Sequence, residues 1–123
     1  MKAPKGLGTA GRRLWRDVLA DVAEGWQLDA RDLALLEAAC RAADRAVALD
    51  EAIENDGLMV AGSQGQRVLH PAVGEARLQR QLVAVLLGKV ELAPPGKARL
   101  SDARRDQLQA ARQARWRPDR KAS

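Results

Sequence analysis

Three stretches of this chain repeat apolar residues every three or four positions, the spacing of one face of an α-helix. In the first, Leu14, Trp15, Val18, Leu19 and Val22 share one side, while Arg12, Arg13, Arg16 and Asp17 lie elsewhere. This predicts a helix from about Ala10 to Trp26, with Thr9 as its N-cap and Gly25 marking its stop. In the second, Leu33, Leu36, Cys40, Ala43 and Val47 form a stripe that Ala46, Leu49 and Ile53 extend. It predicts a helix from about Ala30 to Asn55, ended by Gly57 and opened by Asp29 with Asp32 as an acidic capping-box variant. Such a helix is roughly 40 Å long, which suits a helical hairpin packed against copies of itself. The third stripe is Val73, Ala76, Leu78, Leu82, Val85 and Leu86, in a helix from about Pro71 to Val90. Val83, Ala84 and Leu87 make its second half apolar nearly all round, and a helix apolar on every side is buried on every side. In a short chain the missing cover comes from a neighbouring subunit. Leu78, Leu82, Val83, Val85, Leu86 and Leu87 are therefore the candidate oligomerisation residues.

Between the second and third helices the pattern changes. Leu58, Met59 and Val60 form one short apolar run, and Val68 and Leu69 form another. Gly62, Ser63, Gln64 and Gly65 separate them and suit a turn needing positive φ. A β-hairpin near 58–69 is expected, with Met59–Val60 against Val68–Leu69. Pro71 lacks a backbone donor near the first position of the next helix, where none is needed.

The fold class expected is mainly all-α: an N-terminal helix, a long helical hairpin and a short β-hairpin insert, assembled as an oligomeric ring. Residues 1–8 read as a flexible basic arm, 9–93 as the helical oligomerisation core and 94–123 as a basic, partly disordered tail. Ala93-Pro94-Pro95-Gly96 breaks the chain before that tail. Within it, Ser101 suits the cap of a helix from about Asp102 to Arg115, and 116–123 read as disordered.

Composition narrows the picture. A chain of 123 residues suits one modest domain. Phe and Tyr are absent and only three Trp occur, so Leu, Val and Ala must build the core. Ala buries little area, which again points to a partner chain. The lone Cys40 excludes an internal disulfide framework and suits a reducing compartment. No secretory signal is evident, and the longest apolar run, Leu82 to Leu87, is too short to span a bilayer. The reading is a soluble intracellular protein with no membrane partner.

The net charge of +5 is uneven: +2 over residues 1–27, −5 over 28–56, +2 over 57–93 and +6 over 94–123. A basic start, acidic middle and basic tail describe an oriented molecule with different partners at different ends. Sixteen Arg against five Lys suits phosphate contact, although codon bias explains that ratio as readily. Codon bias does not explain the net charge of the tail. Lys2, Lys5, Arg12, Arg13 and Arg16 form one candidate DNA-binding cluster. Arg104, Arg105, Arg112, Arg115 and Arg117, with Arg120 and Lys121, form the other. Such groups give sequence-tolerant, salt-sensitive binding; the plainer alternative is a solvated basic surface. The absence of Phe and Tyr argues against a base-stacking single-strand binder. Trp15 reads as core, and Trp116 as a possible anchor for a partner.

Catalytic readings fail on the residues. Gly6-Leu7-Gly8-Thr9-Ala10-Gly11 satisfies G-x-G-x-x-G, yet five preceding residues leave no room for the strand that dinucleotide binding requires. These glycines read as arm flexibility and helix entry. His70 is the sole histidine, and Cys40 on a core stripe does not complete a zinc site or triad. Asp50, Glu51, Glu54 and Asp56 lack the spacing of a calcium loop and read as a solvated helix end. No P-loop or nucleophile elbow occurs. Neither an enzyme nor a cofactor is expected.

The order of these pieces resembles the small-subunit family of bacteriophage terminases over about residues 6–101. The matching segments begin with Gly6-Leu7-Gly8, Gly11-Arg12-Arg13-Leu14-Trp15 and Leu33 to Leu49 with its Cys40-Arg41-x-Ala43-Asp44 core. Asp56-Gly57-Leu58 through Gly65-Gln66, His70-Pro71-Ala72 and Glu75-Ala76-Arg77 follow. The resemblance implies a non-enzymatic, mostly helical protein of the host bacterial cytoplasm that assembles into a ring. It implies binding of viral double-stranded DNA and delivery to the large terminase subunit, which carries the ATPase and nuclease. The sequence shows no separate helix-turn-helix domain of the kind many small terminases place at the N-terminus. The alternative from another class is a helical oligomeric scaffold or adaptor that binds no DNA.

Overall fold

The computed structural model describes residues 1–94. Residues Met1–Val22 and Gln27–Leu92 form one compact unit. Its elements are α1 (Thr9–Ala20), α2 (Ala30–Asp56), β1 (Met59–Ala61), β2 (Arg67–Leu69) and α3 (Ala72–Lys89). The mainly helical architecture with a two-stranded insert is as expected; a ring is a property of several chains. The helix expected over 102–115 lies outside the described residues.

The long helix α2 organises the unit. Its start is the acidic capping box: the Asp32 N–H donates to Asp29 Oδ1 at 2.8 Å, and the Asp29 N–H to Asp32 Oδ2 at 3.4 Å. Two otherwise unmet donors of the first turn are satisfied in this way. Asp32 is buried, and its Oδ1 also accepts the Glu91 N–H at 3.2 Å, tying the chain beyond α3 back to the start of α2. At the other end Gly57 takes φ +88°, and its N–H closes the helix on Ile53 O at 2.7 Å.

The helices α2 and α3 pack as the predicted antiparallel pair, through smaller side chains than the stripes suggested. Leu36, Cys40 and Ala46 of the expected stripe are buried, together with Ala39 and Ala42, which the pattern had not singled out. Facing elements contribute buried Ala72 and Ala76. Val47, expected in the stripe, is 44% exposed. Alanine on both helices permits close approach, so the contact line follows the small residues.

One chain does not cover α3 on every side, and the sequence reading looks to a neighbouring subunit for the rest. Leu78, Leu82 and Val85 are 50, 39 and 53% exposed, while Val83, Leu86 and Leu87 are half-buried.

The first helix ends at Ala20, six residues before the predicted Trp26. The N–H groups of Asp21 and Val22 bond three residues back, to Val18 and Leu19 carbonyls, so the last turn tightens and closes before Gly25. Thr9 is the first helical residue, and Gly8 holds the cap position with no side-chain cap of its own. Trp15 is buried and joins Leu7, Leu36 and Cys40 in the core, with Leu14, Val18 and Leu19 packed against them. Leu7, 4% exposed, shows that the segment expected as a flexible arm is seated at its C-terminal end. Separately, residues 23–26 form a turn in which the Trp26 N–H meets Ala23 O at 2.9 Å.

The insert is the predicted antiparallel hairpin, one residue longer on each strand. Met59 pairs with Leu69, Val60 with Val68 and Ala61 with Arg67. Gly62 N–H to Gln66 O (2.6 Å) and Gly65 N–H to Gly62 O (3.0 Å) close its tip, where Gly65 takes φ +81°. Val60 and Val68 are half-buried on one face, and Met59 and Leu69 stand exposed on the other, the alternation of a strand pair.

His70 joins hairpin to α3. Pro71 occupies the N-cap position, one before the first helical residue. The Ala72 N–H donates instead to His70 Nδ1 at 3.0 Å. With Nδ1 accepting, the proton sits on Nε2, which donates to Asp56 Oδ2 at 2.9 Å. One imidazole thus caps α3 and fastens it to the end of α2. Arg80 of α3 adds an ion pair with Asp50 of α2.

Candidate nucleic-acid interface

The N-terminus of α1 is assembled by α2. The carboxylate of Asp44 accepts the Gly8 N–H on Oδ2 and the Gly11 N–H on Oδ1, both at 2.7 Å. It supplies the cap that the local sequence lacks, with negative charge at the positive end of the helix dipole. Gly11 leaves the room for this contact: a Cβ there would lie 2.9 Å from Cys40 O and closer still to Asp44. The glycine pattern that imitates a dinucleotide motif is a helix-docking device. Of the two roles expected of it, helix entry holds, with Gly8 at the N-cap, while Gly8 and Gly11 are fixed by Asp44 where flexibility was expected.

Docking α1 on α2 fixes the first basic cluster. Lys2, Lys5, Arg12, Arg13 and Arg16 are all exposed. Arg12 donates to Leu7 O at 2.5 Å, so part of its capacity holds the arm at the start of α1. Arg16 pairs with Asp17 at 3.4 Å on the open surface, a contact of little strength there. Lys2, Lys5, Arg12 and Arg13 form no ion pair among the described residues. Arg104, Arg105, Arg112, Arg115, Arg117, Arg120, Lys121 and Trp116 lie outside the described residues.

Sequence reasoning missed two cations that the fold adds. Arg41 Nη2 donates to Lys5 O at 3.3 Å, bringing α2 against the arm. Arg41 and Arg45 line one cleft with Trp15, over the small side chains of Ala34 and Ala38. The net acidity of α2 concealed them. The signal available was position: the acids Asp50, Glu51, Glu54 and Asp56 gather at one end of the helix, away from Arg41 and Arg45.

Around this corner the acids are engaged. Asp44 holds the α1 amides, and Glu37 pairs with Arg41 at 3.3 Å. Burial, reinforced by the carboxylates of Asp44 and Glu37, pushes the Cys40 thiol up to about 11, so it is a neutral core group. Among the described residues no group of three His, Cys, Asp or Glu is placed to hold a metal ion. Nor is any helix there long and apolar enough to cross a membrane.

The fold and its charge therefore define a small, mainly helical unit with a basic, exposed N-terminal segment. The family model for phage terminase, small subunit, matches residues 11–107, which take in most of α1 and all of α2, the hairpin and α3. The chain belongs to the phage terminase small-subunit family, which places it among the phage packaging proteins. No curated protein and no solved structure matches it.

Proposed function

We propose that this chain is the non-catalytic DNA-recognition subunit of a phage packaging machine. It binds viral double-stranded DNA and delivers it to the large subunit, where ATPase and nuclease reside. It works as a homo-oligomeric ring in the host cytoplasm, without a cofactor. The observation that carries the DNA reading is the exposed cationic set on the arm and α1, added to the +6 of residues 94–123. Family membership supports the packaging role. The exposed Leu78, Leu82 and Val85 of α3, with Val83, Leu86 and Leu87 beside them, support association of copies.

The test is duplex binding against salt concentration. Neutralising several phosphates makes affinity fall steeply as salt rises. Deleting residues 97–123 is expected to weaken non-specific binding and lower the salt slope, with oligomerisation intact. Charge reversal at Arg12, Arg13 and Arg16 measures the share of the first helix. An intact chain that binds no duplex even at low salt is the adaptor of the alternative reading. If tail deletion alone changes nothing, the tail is the docking segment for the large subunit, with Trp116 as its anchor.

A further inference from the structure

The charge on α2 is segregated by its contacts as well as by its sequence. Of the acids from its N-cap to its middle, Asp29 and Asp32 are consumed by the capping box, Glu37 by Arg41, and Asp44 by the Gly8 and Gly11 amides. Arg45 follows Asp44 directly, is exposed, and makes no ion pair among the described residues. It stands one helical turn from Arg41, on the same face. Arg41 in turn reaches the arm through Lys5 O, and its Nη1 lies 3.7 Å from where a Cβ on Gly6 would be. A helix with net negative charge thus presents a local positive face, continuous through Arg41 with the arm.

We propose that Arg45 is a phosphate contact of the DNA-binding surface, and that Arg41 positions the arm beside it. The inference rests on the DNA reading given above. Among the described residues nothing holds the planar fork of donors on Arg45, which suits a phosphodiester oxygen pair. The cleft beside it is lined by Ala34 and Ala38, both exposed, and by the larger Trp15, Leu33, Glu37 and Leu82. Arg41 cannot play the same part as fully, because Glu37 and Lys5 O already hold it. Its part is to keep Lys2 and Lys5 on the same side as Arg45. A contact of this kind fixes register on the duplex and carries no base information.

The experiment measures duplex affinity of the full chain against salt for Arg45→Ala, Arg45→Lys and Arg77→Ala. Arg77 is an exposed arginine on α3, and its removal changes the net charge by the same amount. Losing one phosphate contact should lower the log–log salt slope by about 0.9 and weaken low-salt binding severalfold. Arg45→Ala should do this, Arg45→Lys should retain most of the slope, and Arg77→Ala should match the unmodified chain. Equal losses for Arg45→Ala and Arg77→Ala would mean a net-charge effect and overturn the proposal. So would an unchanged slope in Arg45→Ala while the unmodified chain binds. An unmodified chain that binds no duplex overturns the DNA reading itself, a distinct outcome. Circular dichroism of each variant shows that the helices are retained.

Discussion

The Asp44 carboxylate and the Gly11 N–H meet at 2.7 Å, 33 residues apart in sequence. This contact and its twin at Gly8 help to seat α1, and with it Arg12, Arg13 and Arg16 of the basic cluster. An aspartate in mid-helix would ordinarily be a solvated residue of modest propensity. Here it completes another helix.

Two substitutions separate the cap from the close approach. Asp44→Ala leaves two partly buried amides without their acceptor and should cost about 1–3 kcal/mol. Gly11→Ala keeps the carboxylate but drives a methyl group into Asp44 and the Cys40 carbonyl, and should cost a similar 1–3 kcal/mol through overpacking. Denaturant unfolding of the single variants and the double variant checks both. Because the residues touch, the double variant should cost less than the two singles added together. Simple additivity would show that the contact does not hold α1 in place.

Local signals were legible in the sequence and long-range ones were not. The Asp29–Asp32 box, the Gly57 stop and the glycine-containing hairpin turn depend on residues a few positions apart, so their chemistry can be read directly. Trp15, Leu36 and Cys40 were legible as core because large apolar groups at helical spacing have few other places to go. Ala39 and Ala42 were not, since alanine is as common on an exposed helix face as in a close helix contact. Leu7 escaped notice because it belongs to no periodic stretch. Asp44, Arg41 and Arg45 escaped for a different reason: their partners lie across the fold, and the net charge of α2 averages over them. The true end of α1 was hidden because a tightened last turn has no residue signature comparable to Gly57.

Cys40 offers a test of the core in alkaline solution. Its thiol is raised from an ordinary value of about 9 to about 11, first by burial and then by Asp44 and Glu37. Between those values the folded chain keeps the proton and the unfolded chain loses it. Stability from this group is complete below about pH 9 and should fall as pH rises towards 11, by up to about 2–3 kcal/mol. Cys40→Ala leaves a small cavity at every pH but removes the titration. The stability difference between the two chains should therefore shrink from pH 8 to pH 11. A gap that stays constant would place the thiol in contact with water. In keeping with this, a thiol-specific reagent at pH 8 should label Cys40 only after unfolding.

Association of copies is the remaining expectation that a single chain leaves open, and α3 gives it a specific form. Leu78, Leu82 and Val85 recur at i, i+4 and i+7, so they share one side of the helix, and all three are exposed. Burying a Leu or Val side chain fully contributes roughly 1.5–3 kcal/mol. Half-exposed groups have about half of that still to gain, so three together can drive association. Light scattering behind size exclusion should give a mass of several chains at micromolar concentration. Leu82→Asp should lower that mass, since an unpaired charge in such an interface is strongly disfavoured. Its helix content should persist, because Leu82 lies outside the buried core of the chain. Gln81→Asp adds the same charge at the neighbouring exposed position and serves as the control. If both variants dissociate alike, repulsion between chains is responsible and the apolar stripe is not the interface. If the unmodified chain is a monomer with the helix content of α1, α2 and α3, the stripe covers no second copy.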